Sequence, residues 1–470
     1  MQKSQLLDIC RALEKKEIRE LKKWLISPAH NHREDVIQLF DYLITGDHLF
    51  NDKYLDKERI FRKLFPEETF EDAKLRQTMH FLLKAIEEYL AHNALLEDDI
   101  STQFALAKTY RHKKLEGPYQ KVIKQVGRMQ EKQVVQDDQF YMNQHDLYQE
   151  IYNTSALRKG SDAKLQELSD ALEVSFIIRK LRMACFMVNH QSIFKQEYDY
   201  GMLDPLLAYV EANNLLSVKA IEIYYYCYKS IRFPEQEEFY FTFRDSIFTN
   251  NEILPHSEMH NNYLLAVNYC STKVNQFKEG FKRELFDLYR KGIENKVLLN
   301  DDGILTNSTF RNTVNIGTVI KEFDWIKGFI EQYQKYLPAT IREQMVQSAW
   351  GKYYFEKGDY PTARDYLMQV NPSNVLLNLN IKSMLVRIYY HEDEFQLLDA
   401  LLESMKVYIN RKKILVAQHK RPFKNLIKYT KKLVKVNPYD RGAKTKLRQE
   451  IEEAHPLIAK DWFLEQVDRL

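Results

Sequence analysis

Chain breakers are scarce in this sequence. Its 470 residues include 13 glycines and 12 prolines, together about 5%, against roughly 12% in an average protein. Tight hairpins depend on those residues, so a chain this poor in them favours long helices. The hydrophobic pattern agrees. Leu75, Met79, Leu82, Leu83, Ile86 and Leu90 recur three or four residues apart in EDAKLRQTMHFLLKAIEEYLAHNALL, the period of a helix with one buried face. Similar stripes predict helices over 15–26, 35–43, 116–132, 137–152, 164–190, 216–231, 259–272 and 276–292. Interruptions are expected at LRKGSD (157–162), LDP (203–205), RFPEQ (232–236), ILPHS (253–257) and LLNDDG (298–303). No segment alternates as a half-buried strand would, so the expected class is all-α.

The remaining composition narrows the function classes. Hydrophobic residues make up 44% of the chain and aromatic ones 13%, enough for a large core and too many for disorder. Neither G-x-x-x-x-G-K-[ST] nor G-x-G-x-x-G occurs, so no phosphate-cradling loop is expected. Cys10, Cys185, Cys227 and Cys270 are far apart in sequence, with no C-x-x-C pair for zinc or redox work. The first twenty residues lack the apolar run of a signal peptide, and no stretch reaches the roughly 18 apolar residues of a membrane span. A reduced, cytoplasmic protein is expected.

WGKYYFEKGDYPTARDYL, residues 350–367, places Gly351 and Gly358 in a glycine-poor region, with Tyr354, Tyr360 and Ala363 at fixed offsets. In a frame of about 34 residues, Trp350, Gly351 and Tyr354 fall on a first helix. Gly358 and Asp359 make a turn, Tyr360, Ala363 and Leu367 lie on a second helix, and Asn371-Pro372 ends it. Gly351 and Ala363 are expected to meet where the two helices cross closely. The turn aromatic recurs as Trp325, Tyr360 and Phe395, with spacings of 35 and 35. This pattern resembles the tetratricopeptide repeat over about 309–410, while the neighbouring copies depart from it at Val319 and Leu398. Elsewhere only the helical period continues.

The resemblance implies an α-solenoid of antiparallel helix pairs whose first helices line a concave, peptide-binding groove without catalysis. Carried onto this chain, the groove positions are Met345, Ser348, Lys352, Phe355 and Glu356, then Asn380, Ser383, Arg387, Tyr390 and His391. Lys352 and Arg387 are equivalent, with Phe355 and Tyr390 three residues further on. Such a strip would favour an acidic partner segment, read by charge and by cation–π contact. The family's lysine–asparagine set for a C-terminal carboxylate is not found.

Charge is distributed unevenly. Residues 406–449 hold fifteen Lys or Arg and one acid, Asp440, whereas the whole chain is only +3. Within that segment PFKNLIKYTKKLVKV places Phe423, Leu426, Ile427, Thr430 and Leu433 or Val434 on one helical face and Lys424, Lys428, Lys431 and Lys435 on another, with Pro422 in the first turn. Three readings of the stripe stand together: the solvated side of a capping helix, a surface for nucleic-acid phosphates, or a dock for an acidic protein surface. No zinc-finger spacing, RNP-like sequence or recognition helix accompanies it.

Chemical motifs are weak. His30 and His32 in PAHNHRED lack the surroundings of a metal or nuclease site, His256 and His260 in HSEMH lack a third ligand, and HEDE at 391–394 reads as a solvated turn. The expected organisation is a helical N-terminal module (1–97), a degenerate helix-pair array (98–300), tetratricopeptide-like repeats (301–410) and basic capping helices (411–470). The expected function is a non-catalytic protein-interaction scaffold, with no cofactor and no metal. A nucleic-acid-associated protein is the alternative.

Overall fold

The computed structural model describes residues 4–155, 163–370, 374–411 and 417–470. Among them are 23 α-helices and no strand beyond an isolated bridge between Leu299 and Leu305. No helix of the described residues is long and apolar enough to cross a membrane. The chain divides into two compact units, Met1–Gln133 with Gln139–Glu173, and Val134–Asp138 with Val174–Leu470.

The helices from the N-terminus are α1 (Gln5–Ala12), α2 (Lys15–Ile26), α3 (Glu34–Ile44), α4 (Lys57–Leu64), α5 (Asp72–Glu97), α6 (Asp99–His112), α7 (Glu116–Lys132), α8 (Asp138–Ser155) and α9 (Leu165–Phe194). In the first unit α1 to α4 all pack on α5 or on each other. Leu75, Leu82 and Ile86 of the predicted stripe are fully buried there, in one cluster with Leu7, Leu39, Phe40 and Phe61. A second cluster joins Phe104, Tyr119, Val122 and Val126 of α6 and α7. The module boundary expected at residue 97 is a helix cap: α5 stops at Glu97, and Asp98 accepts from Ile100 N and Ser101 N at the start of α6.

The rest are α10 (Leu203–Ala212), α11 (Lys219–Arg232), α12 (Glu237–Thr249), α13 (His256–Asn275), α14 (Phe281–Glu294), α15 (Asn307–Val319), α16 (Phe323–Tyr333), α17 (Arg342–Lys357), α18 (Tyr360–Met368), α19 (Val375–His391), α20 (Phe395–Arg411), α21 (Ala417–Lys435), α22 (Arg441–Glu453) and α23 (Lys460–Arg469). From α11 to α23 each helix packs on the next, and α11 also touches α13, while α15, α17, α19 and α21 touch in succession. The LDP break falls differently from expectation: Pro205 lies in the first turn of α10, where its missing N–H is harmless. The break expected at 157–162 and the stop expected at Asn371-Pro372 lie outside the described residues.

One turn recurs. One or two residues after the first helix of a pair the backbone turns left-handed, at Lys114, Phe277, Lys321, Gly358 and Asp393, with φ of 57°, 59°, 66°, 86° and 56°. The next residue then donates its N–H five positions back: Leu115 to Tyr110, Lys278 to Lys273, Glu322 to Gly317, Asp359 to Tyr354 and Glu394 to Tyr389, at 2.8–3.0 Å. These bonds satisfy last-turn carbonyls and reverse the chain into the next helix. After Gly358 the Asp359 carboxylate caps Thr362 N at 3.3 Å.

The α17–α18 crossing is antiparallel, since Tyr354 stacks on Tyr366 at 5.6 Å while Gly351 abuts Leu367. The close partner of Gly351 is therefore Leu367, not Ala363: a Cβ on Gly351 would lie 2.4 Å from Leu367 Cδ2. Ala363 is nonetheless fully buried. Gly317 plays the same mechanical part in α15, where a Cβ would lie 2.4 Å from Ile326 Cδ1.

Candidate functional site

The four expected groove residues come from two touching helices, Lys352 and Phe355 from α17, Arg387 and Tyr390 from α19. The Arg387 guanidinium carbon lies 4.6 Å from the Phe355 ring centre and 5.6 Å from that of Trp462 on α23. Tyr390 meets Trp462 edge-on at 5.3 Å. The Arg387–Tyr390 half of the strip therefore holds the chain's own C-terminal helix. Burial lowers the pKa of Arg387, against the attraction of Glu356 and the other negative groups nearby. Its Nε has no hydrogen-bond partner among the described residues. Phe355 is buried, and Lys352 Nζ lies 2.6 Å from Glu356 Oε1 one turn along. Trp462 was missed in the sequence because only tertiary docking brings α23 back to α19. Its one local signal is the amphipathic spacing of Trp462, Phe463 and Val467, all buried.

Towards the N-terminal ends of these helices a small cavity of about 40 Å³ opens between α15, α17 and α19. Arg311, Asn315, Ser348, Lys352, Asn380 and Met384 line it. Three expected first-helix positions, Ser348, Lys352 and Asn380, thus share one concavity, and Met345 lies at its wall. Arg311 has no ion-pair partner among the described residues.

The basic helix α21 buries Phe423, Leu426, Ile427, Thr430 and Leu433, and leaves Val434 exposed. Tyr429 is buried as well. The helix begins at Ala417, so Pro422 sits inside it rather than in its first turn. The four lysines of the stripe differ in state. Lys431 pairs with Glu403 and lies 3.8 Å from Asp399 of α20. Lys424, Lys428 and Lys435 are exposed, without an ion-pair partner among the described residues. Of the remaining segment, Lys412 and Lys413 lie outside the described residues.

Comparison with family models, with curated proteins and with solved structures finds no match.

The chemistry thus rests on the side chains themselves. Asp137, Asp138 and Glu258 bring oxygens within 4.8 Å of one another, but arginines already answer them. Arg179 Nε lies 2.5 Å from Asp138 Oδ2, Arg182 lies 2.9 Å from Asp138 Oδ1 and also pairs with Glu258, and Tyr224 Oη donates to Glu258 at 2.5 Å. Burial, the largest influence, raises the Glu258 pKa, while Tyr224 and Arg182 oppose it. The histidine motifs serve turns. His30 stacks on Trp24 at 3.4 Å, His32 is exposed, His260 Nδ1 lies 2.7 Å from Val297 O, and His256 Nε2 lies 3.2 Å from Lys296 O. In HEDE, Glu392 binds Arg364 at 2.6 Å. All four cysteines are free and buried, and burial pushes the Cys10 and Cys270 thiols up to about 12, far from a reactive thiolate.

Proposed function

We propose that this chain is a non-catalytic helical-repeat scaffold, built as a tetratricopeptide-like α-solenoid, whose first helices receive an extended acidic segment of a partner protein. The succession of contacts from α15 through α17 and α19 to α21 supports this reading, because in a stacked array each first helix touches the next. The recurring left-handed turn supports it too, since it builds each pair by the same mechanical device. The observation that carries the reading is the shared concavity of α15, α17 and α19, where unpaired Arg311 lies beside Lys352, Asn315 and Asn380. Arg311 attracts carboxylates, Lys352 can do so in exchange for its bond to Glu356, and the amide side chains can hydrogen-bond an extended backbone. This moves the proposed contact surface from Arg387 and Tyr390, which α23 covers, to Arg311 and Lys352. Four buried free thiols suit a reducing compartment such as the cytoplasm.

The test is affinity capture from the native cell after nuclease treatment, with the parent and with Arg311→Glu/Lys352→Glu. The double variant should stay folded and lose only about 1 kcal/mol, because both residues are partly exposed and Lys352→Glu exchanges the ion pair with Glu356 one turn along for a like-charge pair. At least one protein should disappear from the double variant's captured set, and its association rate with the parent should fall as salt rises. An unchanged set overturns the reading.

A further inference from the structure

Between α21 and α22 runs an open cleft of about 400 Å³, lined by Lys431, Lys432, Lys435, Lys446, Leu447 and Glu450. Its acids are already engaged. Glu450 pairs with Lys432, and Lys431 turns to Glu403 and Asp399 of α20. That leaves Lys428, Lys435 and Lys446 exposed, with no ion-pair partner among the described residues. Lys428 stands one turn before Lys432 on α21 and, after the larger effect of Lys432, helps lower the pKa of Glu450. Arg441 and Lys444 add two cations in the first turn of α22, which holds no acid. Positive charge there opposes the helix dipole, so stability alone does not select it.

A second, independent feature stands at the end of this cleft. Tyr439, in the turn joining the two helices, is 94% exposed. Its ring has no partner among the described residues, yet its backbone is held. Tyr439 N donates to Asn437 Oδ1 at 3.0 Å, and Asp440 N to Asn437 O at 3.0 Å, while Asp440 Oδ1 caps Ala443 N at 2.9 Å. The turn thus holds the backbone of Tyr439 and leaves its ring free in solvent, four residues after Lys435 and two before Arg441 in sequence.

A cationic track with a free aromatic platform is the combination that holds single-stranded nucleic acid, phosphates along the charges and a base on the ring. An acidic protein would be better served by bidentate arginines, whereas the unpaired cations here are mostly lysines, point charges suited to phosphates. A duplex would engage the lysines but offer no unstacked base to Tyr439. We propose that the α21–α22 cleft binds single-stranded nucleic acid without sequence preference, with Lys428, Lys435 and Lys446 on phosphates of one strand and Tyr439 stacked on a base. This surface is separate from the α15–α17–α19 concavity and does not depend on it.

The experiment is fluorescence anisotropy of the full chain with a labelled oligothymidylate of ~16 nucleotides, a duplex of the same length, and polyglutamate as competitor. The parent should bind the single strand at about 50 mM salt with a steep salt dependence. Lys428→Gln/Lys435→Gln/Lys446→Gln should reduce the slope of log K on log salt by about 2, at roughly 0.7 for each single-strand phosphate contact. Tyr439→Ala should weaken the single strand about 5- to 150-fold and leave duplex binding unchanged. Arg311→Glu/Lys352→Glu should bind the oligonucleotide like the parent, which separates this proposal from the protein-partner reading. No binding at low salt, an unchanged slope in the triple variant, or equal loss of duplex and single strand in Tyr439→Ala would overturn it. So would displacement by polyglutamate as effective as by oligothymidylate, which would assign the cleft to an acidic protein.

Discussion

Phe277 holds a left-handed backbone, φ 59°, with its ring 91% exposed. A β-carbon in that conformation costs about 1–2 kcal/mol, and the exposed ring gains little packing in return. Phe277→Gly relieves the clash and gives back about 0.5–1 kcal/mol of it as extra backbone entropy of the unfolded chain. The variant should therefore be more stable by roughly 0.5–1 kcal/mol in chemical denaturation; equal or lower stability would show that the ring or its backbone does more than close the turn. The same five turns explain what the sequence reveals of the repeats. Only Gly358 announces its left-handed position by residue type, and Lys114, Phe277, Lys321 and Asp393 carry the conformation without the usual glycine. Gly351 was legible as a close-crossing residue, but not its partner, because Leu367 and Ala363 lie about one turn apart on the same helix. Gly317, 34 residues earlier, went unread because the aromatic spacing of 35 drew the frame to Trp325. The helix instead begins at Phe323, two residues beyond the left-handed Lys321.

At the scale of single helices, hydrophobic period located the elements well. The predicted 15–26 and 116–132 match α2 and α7, and the apolar stripe of α21 is buried as expected, with Leu433 rather than Val434 completing it. What period cannot supply is the surface on which an amphipathic helix docks. α23 looks like any short terminal helix in sequence, yet Trp462 closes over Arg387 and Tyr390, burying a cation between two aromatic rings. Trp462→Ala should destabilise the second unit by about 3–5 kcal/mol, the usual range for removing a large buried aromatic. Arg387→Met, which keeps the stem and removes the charge, should cost far less, because burial already disfavours the cation. Denaturant titrations of the two variants decide it: if Trp462→Ala unfolds like the parent, α23 is not held through this contact.

For the whole molecule, breaks in the hydrophobic pattern mark helix ends and do not say which helices share a core. The expected boundary at residue 97 coincides with the end of α5, whereas the first compact unit continues to Gln133 and takes in residues 139–173. The Val134–Asp138 segment belongs with the second unit. It is tied there by Gln136 N to Ile253 O at 2.8 Å, by Ser175 Oγ to Asp138 O at 2.8 Å, and by the arginines that join Asp138 to Glu258. Residues from 136 to 258 thus converge on one charged knot, which no local motif foretold because its members lie on α8, α9, α11 and α13. Glu258 sets its pH response. Its folded pKa is raised, chiefly by burial and further by Asp138 and Asp137, over the opposing pull of Tyr224 and Arg182. Above the unfolded value the unfolded chain sheds a proton that folded Glu258 keeps, so the unfolded state binds fewer protons and stability falls as pH rises. The contribution is complete below the ordinary glutamate range and is lost as pH passes through the raised folded value. Glu258→Gln keeps an acceptor for Tyr224 and leaves Arg182 its bond to Asp138, but cannot titrate. The stability advantage of the parent over Glu258→Gln, measured by denaturant unfolding from about pH 4.5 to 7, should therefore shrink as pH rises. A gap that stays constant or widens over that range would mean that Glu258 is ionised throughout and acts as a permanent counter-charge to Arg182.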